Sequence, residues 1–284
     1  MRGEFVDLGG SRLYCYASGS RGAGDPLVLV HGCFMSSHLW HDMLPRIPKG
    51  HRILVLDLLG HGRSDPPFDE SMTVAAHASR LAALLDVFGI ETATVVGHGV
   101  GGAIAARFAH DRPERVARLA LVAPTLLSRD PGSARVSRRM RRIARLAPIW
   151  QRLSGQWLAS ALHATLLRGF ANRMTGAYSL DVHLKNYRWP AGRDSACAQL
   201  RALAPSTNDT VAAMQPGALH CPVSIVFGDC DPYLRGDRLE RLVQQLREAT
   251  SDELVVNRVP GAAHMIPEEA PDRLGMHLAE LLVR

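Results

Sequence analysis

Short β-branched runs alternate with helical periodicities along most of this chain, and that alternation constrains its fold more than any other feature. Apolar runs fall at residues 4–8, 12–17, 27–30, 52–57, 94–96, 119–122, 223–227 and 254–259. Helical patterns near 36–46, 73–88, 100–110, 236–249 and 270–283 lie between and after them. A strand, a helix and a second strand in the same sheet need a crossover, which leaves the two strands parallel. The first two runs meet at Gly9-Gly10 and are expected to pair as an antiparallel hairpin. The pattern predicts an α/β protein with a mostly parallel eight-stranded sheet flanked by helices.

One segment breaks the rhythm. Residues 125–206 carry no convincing strand, only helical patterns punctuated by Pro148, Gly155, Gly169, Gly176 and Pro190. In 149–170 the apolar positions 150, 153, 157, 158, 161, 162 and 166 recur at helical spacing. The expected organisation is a core of residues 1–124 and 207–284, with 125–206 as a helical cap inserted after the sixth strand. Such an insertion sits over the carboxyl edge of the sheet, where open α/β sheets bind ligands.

Bulk properties narrow the function classes. With 284 residues and 46% hydrophobic content, the chain can bury a large core. Its first residues, MRGEFVDLGGSRLYCYASG, lack the apolar stretch of a secretory signal, and no apolar run is long enough to span a bilayer. The five cysteines, Cys15, Cys33, Cys197, Cys221 and Cys230, are scattered without a C-x-x-C. They read as free thiols of a cytoplasmic protein rather than a disulfide framework or zinc site. Much of the net charge of +6 falls in ARVSRRMRRIAR, residues 134–145, where Val136, Met140, Ile143 and Ala147 would line one helical face. A solvated surface helix accounts for it; attraction of an anionic substrate or a membrane surface is the sharper alternative. Nucleic-acid binding is not expected from one arginine-rich helix without a supporting fold motif. A monomer or homodimer acting on a small molecule is expected.

The stretch TATVVGHGVGGAIAARFAH, residues 92–110, carries the central problem. A β-branched run ends at Gly97 and an Ala-rich helix begins after Gly99. This is the strand, sharp turn and helix of a nucleophile elbow, G-x-S-x-G, but here it reads Gly97-His98-Gly99-Val100-Gly101. Glycine stands at the serine position and has no side chain with which to attack.

Four further motifs stand around it in a fixed order. They are LVLVHGCFMSSHLW (27–40), VLDLLGHGRSD (55–65), IVFGDCDPY (225–233) and VPGAAHMIPEEAP (259–271). With the elbow they make the chain resemble the α/β-hydrolase family, in its helical-cap subgroup, along essentially the whole length. The resemblance implies an acid three residues past Gly228, hence Asp231, with Asp229 as the rival on the same loop. It implies His264 as the histidine, and oxyanion-hole amides on Cys33 and on Val100. Those donors are backbone groups, so a missing serine side chain does not remove them. The family's alternative nucleophile, an aspartate, is also absent from position 99.

What remains for chemistry is a histidine oriented by a carboxylate. An imidazole is a useful base when its tautomer is fixed and its cation stabilised, and a buried carboxylate does both. His98 is expected to pack away from the pocket, and His163 and His183 to lie on the surface. Cys33 could attack only as a thiolate, which needs a nearby cation or base. Trp40, Trp157, Tyr178 and Trp189 are candidate walls of an apolar, aromatic pocket.

Three functions fit. The first is an enzyme acting on a mid-sized apolar or aromatic organic substrate without a covalent serine intermediate, with His264 and Asp231 as general base. Hydrolysis, elimination, retro-aldol cleavage and cyclisation suit such a site. The second is an ordinary serine ester or C–C hydrolase in a Ser-to-Gly inactive form, and the third a ligand-binding pseudoenzyme. No phosphate loop, Rossmann fingerprint or metal-ligand cluster is present in the sequence, so no cofactor and no metal are expected.

Overall fold

A computed structural model of the chain describes residues 2–18, 24–125, 149, 155–210 and 212–283. The arginine-rich stretch 134–145 lies outside the described residues.

All eight predicted strands are present: β1 (Arg2–Asp7), β2 (Arg12–Ser18), β3 (Gly24–Val30), β4 (His51–Leu56), β5 (Ala93–His98), β6 (Val116–Val122), β7 (Val223–Gly228) and β8 (Leu254–Val259). They form one sheet in the order β1-β2-β4-β3-β5-β6-β7-β8. β2 is antiparallel to both β1 and β4, and the remaining neighbours are parallel. The order reverses at β3, which pairs with β4 on one side and β5 on the other, so the loops after β3 and β5 leave the same edge side by side. Ligand sites in open sheets form at such a reversal.

Strand composition explains the two-sided core. Along β3, Val28 and Val30 join the cluster under α1 (Val74–Val87) and α2 (Val100–Asp111), with Leu81, Leu85, Ile104 and Phe108. Leu27 and Leu29 face the opposite cluster, with Trp40 and with Leu274 and Leu278 of the last helix, Pro271–Leu282. All four β3 residues are fully buried. Each stabilises the fold by roughly 1.5–3 kcal/mol relative to exposure, and a strand apolar on both faces is held at the sheet's centre.

The predicted helix near 36–46 is instead two 3₁₀ turns, Ser37–Trp40 and Leu44–Arg46. Pro45 cannot donate a backbone hydrogen bond and Pro48 pushes Ile47 out of helical geometry, so no α-helix propagates. Among the described residues, the segment between β6 and β7 contains helices α3 (Gly155–Leu166), α4 (Arg173–Leu184) and α5 (Pro190–Asp209) and no strand. Helices α6 (Asp237–Ala249), α7 (Ile266–Glu269) and α8 (Pro271–Leu282) follow. No helix among the described residues is long and apolar enough to cross a membrane.

Candidate active site

The turn at Gly99 joins β5 to α2 and is shaped by its glycines. A Cβ on Gly97 would sit 2.3 Å from the Gly101 carbonyl oxygen, and one on Gly101 would sit 2.4 Å from the Val30 carbonyl oxygen. Neither position has room for a side chain, so the first turn of α2 crosses tightly over β5 and β3. Gly99 itself has φ +56° and ψ −118°, a region in which L side chains are strained. Its amide donates to Val122 O and its carbonyl accepts from the Thr125 amide, both at 3.0 Å, which fixes the turn against the end of β6. Space is not the constraint here. A Cβ on Gly99 would meet His264 Nε2 at 3.6 Å, Gly32 Cα at 3.7 Å and Thr125 Oγ1 at 4.0 Å, ordinary contact distances.

His264 reaches this point from the loop after β8. Its amide donates to Gly169 O at 2.9 Å, on the 3₁₀ turn that follows α3, and its carbonyl accepts from His98 Nε2 at 3.0 Å. The ring rests edge-on against Tyr233. Its Nδ1 lies 2.9 Å from Oδ2 of Asp231, and both residues are buried. The other carboxylate oxygen of Asp231 accepts from the amides of Tyr233 at 2.7 Å and Leu234 at 3.2 Å. Burial is the largest influence on this carboxyl and pushes it up, but His264 and the two amides together outweigh it and hold it below its ordinary value. Asp231 is therefore a carboxylate that accepts from Nδ1–H, which leaves the Nε2 lone pair directed at the Gly99 turn. Asp229 points elsewhere. It pairs with Arg258 at 2.9 Å and accepts from the Gly261 amide at 2.7 Å.

The loop after β3 forms the opposite wall. His31 is buried, donates from Nδ1 to Gly32 O at 2.7 Å and accepts from the Leu58 amide at 3.0 Å. Burial pushes its pKa down to about 3, so it is a neutral strut between this loop and the turn after β4. In that turn Asp57 accepts from the amides of Ser37 at 2.6 Å and Arg63 at 2.9 Å. Among the described residues, the amides of Cys33 and Val100 donate to no protein group. The Cys33 thiol is pushed up to about 12 by burial and lies 3.7 Å from Gln199 Oε1. It is a protonated donor, not a thiolate.

Several expectations need correction. Trp40 is wholly buried in the core cluster with Leu39 and Met43. Trp157, Tyr178 and Trp189 are 67%, 77% and 68% exposed. The buried stripe of α3 runs through Leu158, Leu162 and Leu166, and that of α4 through Gly176, Ser179, Leu180 and His183. Trp157 and Tyr178 each precede a buried residue, Leu158 and Ser179, by one position, about 100° around the helix, and so face out. His183 is buried rather than on the surface, whereas His163 is half-buried. His98 packs beneath the His264 loop, away from the turn. Sequence reasoning missed Thr125, whose hydroxyl faces position 99, and Gln199, which bonds Gly60 O at 3.0 Å and the Tyr187 hydroxyl at 3.2 Å. A lone threonine or glutamine carries no periodicity or motif by which to find it. Among the described residues, no group of three or more histidine, cysteine or acidic side chains could hold a metal.

Comparison with known proteins matches residues 25–271 to the family described as alpha/beta hydrolase fold. A 2-hydroxymuconate semialdehyde hydrolase of Pseudomonas sp. is 30% identical over 201 residues, covering 69% of this chain and 60% of that one. An uncharacterized protein of Mycobacterium tuberculosis is 38% identical over 109 residues, 38% of this chain and 32% of that one, so the match spans about a third of that relative's length. The crystal structure of Cfl2 from Burkholderia cenocepacia superimposes with a TM-score of 0.83 at 25% identity, covering 99% of this chain and 95% of that one.

Proposed function

The chain belongs to the α/β hydrolase fold family, and from that premise we propose that it is an enzyme that works without a covalent serine intermediate. His264 Nε2 is the general base, Asp231 holds its tautomer and stabilises the imidazolium that forms, and the free amides of Cys33 and Val100 take a developing oxyanion. The reading rests on one observation above all. A paired, buried imidazole directs its unpaired nitrogen to within 3.6 Å of the place where a side chain on residue 99 would begin. In this scheme Nε2 removes a proton from water or from a substrate O–H or C–H, and the resulting negative charge moves onto the carbonyl oxygen between the two amides. Each such donor contributes about 10²–10³ in rate. Hydrolysis, elimination, retro-aldol cleavage and cyclisation all follow from that charge movement.

The substrate is a mid-sized organic molecule with a carbonyl group. Residues 125–206 act as the cap, tied to the site where Gly169 O holds the His264 amide.

A second reading is favoured by the space at position 99. Nothing lies closer than 3.6 Å to a Cβ placed there, so the site would take a serine, as in a serine hydrolase that has lost its nucleophile. Gly99→Ser tests both readings. The variant is expected to hydrolyse p-nitrophenyl acetate with an acyl-enzyme burst, at a stability cost of about 1–3 kcal/mol for the strained φ. A folded variant without a burst would mean that His264 or the amides are not competent.

A further inference from the structure

Two polar side-chain atoms face the place where a side chain on residue 99 would begin: His264 Nε2 at 3.6 Å and Thr125 Oγ1 at 4.0 Å. The third close neighbour is Gly32 Cα at 3.7 Å, a carbon that offers no hydrogen bond comparable to theirs. Among the described residues, neither Nε2 nor Oγ1 hydrogen-bonds to the protein, and neither is sealed from solvent. His98 Nδ1, by contrast, is buried as well as unpaired. Thr125 is half-buried and held by its own backbone, whose amide donates to Gly99 O at 3.0 Å. Its Cα is thus fixed against the turn, and β-branching leaves its hydroxyl few rotamers.

The two atoms have complementary chemistry. Nδ1 of His264 gives its proton to Asp231, so Nε2 offers only a lone pair. A threonine hydroxyl both donates and accepts. The two make no hydrogen bond to each other, so the imidazole draws no proton from Thr125 itself. A general base acts at hydrogen-bond distance or through one water. A water in front of Gly99 would donate one hydrogen to Nε2 and the other to Oγ1, which leaves both its lone pairs free to face a carbonyl carbon. In a G-x-S-x-G elbow that place belongs to the serine hydroxyl. Glycine gives it to a water.

We propose that Gly99 makes this turn a binding site for the attacking water, and that Thr125 is the catalytic residue that holds that water for His264. The inference rests on the general-base role given above to His264, and it selects direct hydrolysis from the reactions open to that base. Nε2 takes a proton from the water, whose oxygen bonds to the carbonyl carbon. The C=O pair moves onto the oxygen held by the Cys33 and Val100 amides. Its return restores the C=O bond and breaks the bond to the leaving group, which departs with that electron pair and takes up the proton from Nε2. The substrate class is a carboxylic ester or related acyl compound, and no acyl-enzyme forms.

The probe is p-nitrophenyl acetate, with steady-state release of p-nitrophenolate measured for the parent protein, Thr125→Val, Thr125→Ser and His264→Ala. Valine keeps the shape of threonine without the hydroxyl. It should lower kcat about tenfold, one hydrogen bond's contribution, and leave KM unchanged. Serine lacks the methyl but keeps the hydroxyl, and should recover most of that loss, which a packing role would not allow. His264→Ala should remove the activity. The parent alone gives a further readout that needs no variant to fold: peptide mass mapping after a quench during turnover should find Thr125 unmodified. An acetyl group there would make threonine the nucleophile and overturn the proposal. So would a Thr125→Val variant as fast as the parent, or a parent no faster than buffer. Failure of the base is separable from these. His264→Ala at the parent rate removes base and water together, whereas a burst in Gly99→Ser, with the parent inactive or indifferent to Thr125→Val, removes only the water.

Discussion

Two buried histidines beside this sheet are paired with carboxylates, and they differ in one nitrogen. His264 donates from Nδ1 to Asp231 at 2.9 Å and keeps Nε2 open toward the Gly99 turn. His183, on α4, lies with Nε2 3.1 Å from Oε1 of Glu268, while its Nδ1 accepts from the Ser36 amide at 3.1 Å and lies 3.0 Å from the Ser36 hydroxyl. An amide can only donate, so Nδ1 of His183 is the acceptor and Nε2 holds the proton. Glu268 is further held by the Ser179 hydroxyl at 2.7 Å. Both rings are oriented by a carboxylate. One has a lone pair left over for chemistry, and the other has spent it on holding the helical segment to the loop after β3. A histidine beside an acid is thus no signature of catalysis until its second nitrogen has been followed.

The largest expected effect separates the two pairs by rate. In the Gly99→Ser background, His264→Ala should abolish the p-nitrophenyl acetate burst. Asp231→Asn should slow acylation on the order of 10⁴-fold, because an asparagine neither selects the tautomer nor stabilises the imidazolium. His183→Ala and Glu268→Gln should leave the burst in place. Stopped-flow release of p-nitrophenolate measures all four, and a burst lost equally from both pairs would erase the distinction drawn between them.

Stability should rank the pairs in the reverse order. Removing His183 leaves a largely buried Glu268 carboxylate held, among the described residues, by the Ser179 hydroxyl and unpairs the two Ser36 donors, at about 1–3 kcal/mol for each buried group left unsatisfied. His264→Ala leaves Asp231 still held by two amides, for a cost of roughly 1–3 kcal/mol. Urea denaturation midpoints read the difference. An equal cost would mean that the His183 pair contributes no more to folding than the His264 pair.

What the sequence could and could not reveal follows the same division. The eight strands were legible because β3, β5, β6 and β7 are apolar on both faces, and the loops that follow such strands necessarily share one edge. Motif order then singled out His264, Asp231 and the Gly99 turn. Side-chain direction was not legible. Helical spacing marks a stripe but not which neighbour of the stripe turns outward, so Trp157 and Tyr178 read as lining and are exposed. Trp40 ends the first 3₁₀ turn, Ser37–Trp40, and is buried in the core, which its place in the sequence pattern did not show. His183 looked like a surface residue because its partners, Ser36 and Glu268, lie 147 and 85 positions away in the chain.

The smallest expected effect concerns Ser36, which makes the second pair look like a complete serine, histidine and glutamate relay. Its hydroxyl lies 3.0 Å from His183 Nδ1, a reasonable distance for activation of a nucleophile. Two features argue against that role. The same nitrogen already accepts the Ser36 amide at 3.1 Å, so its lone pair is shared, and Ser36 is itself buried. A fluorophosphonate probe should therefore leave Ser36 unlabelled in the parent protein, while labelling position 99 in Gly99→Ser. Ser36→Ala removes one hydroxyl hydrogen bond but keeps the amide contact, and should cost about 0.5–1.5 kcal/mol with no change in the burst. Peptide mapping that found the probe on Ser36 would make this second pair a nucleophilic site, and an open lone pair would no longer distinguish the two histidines.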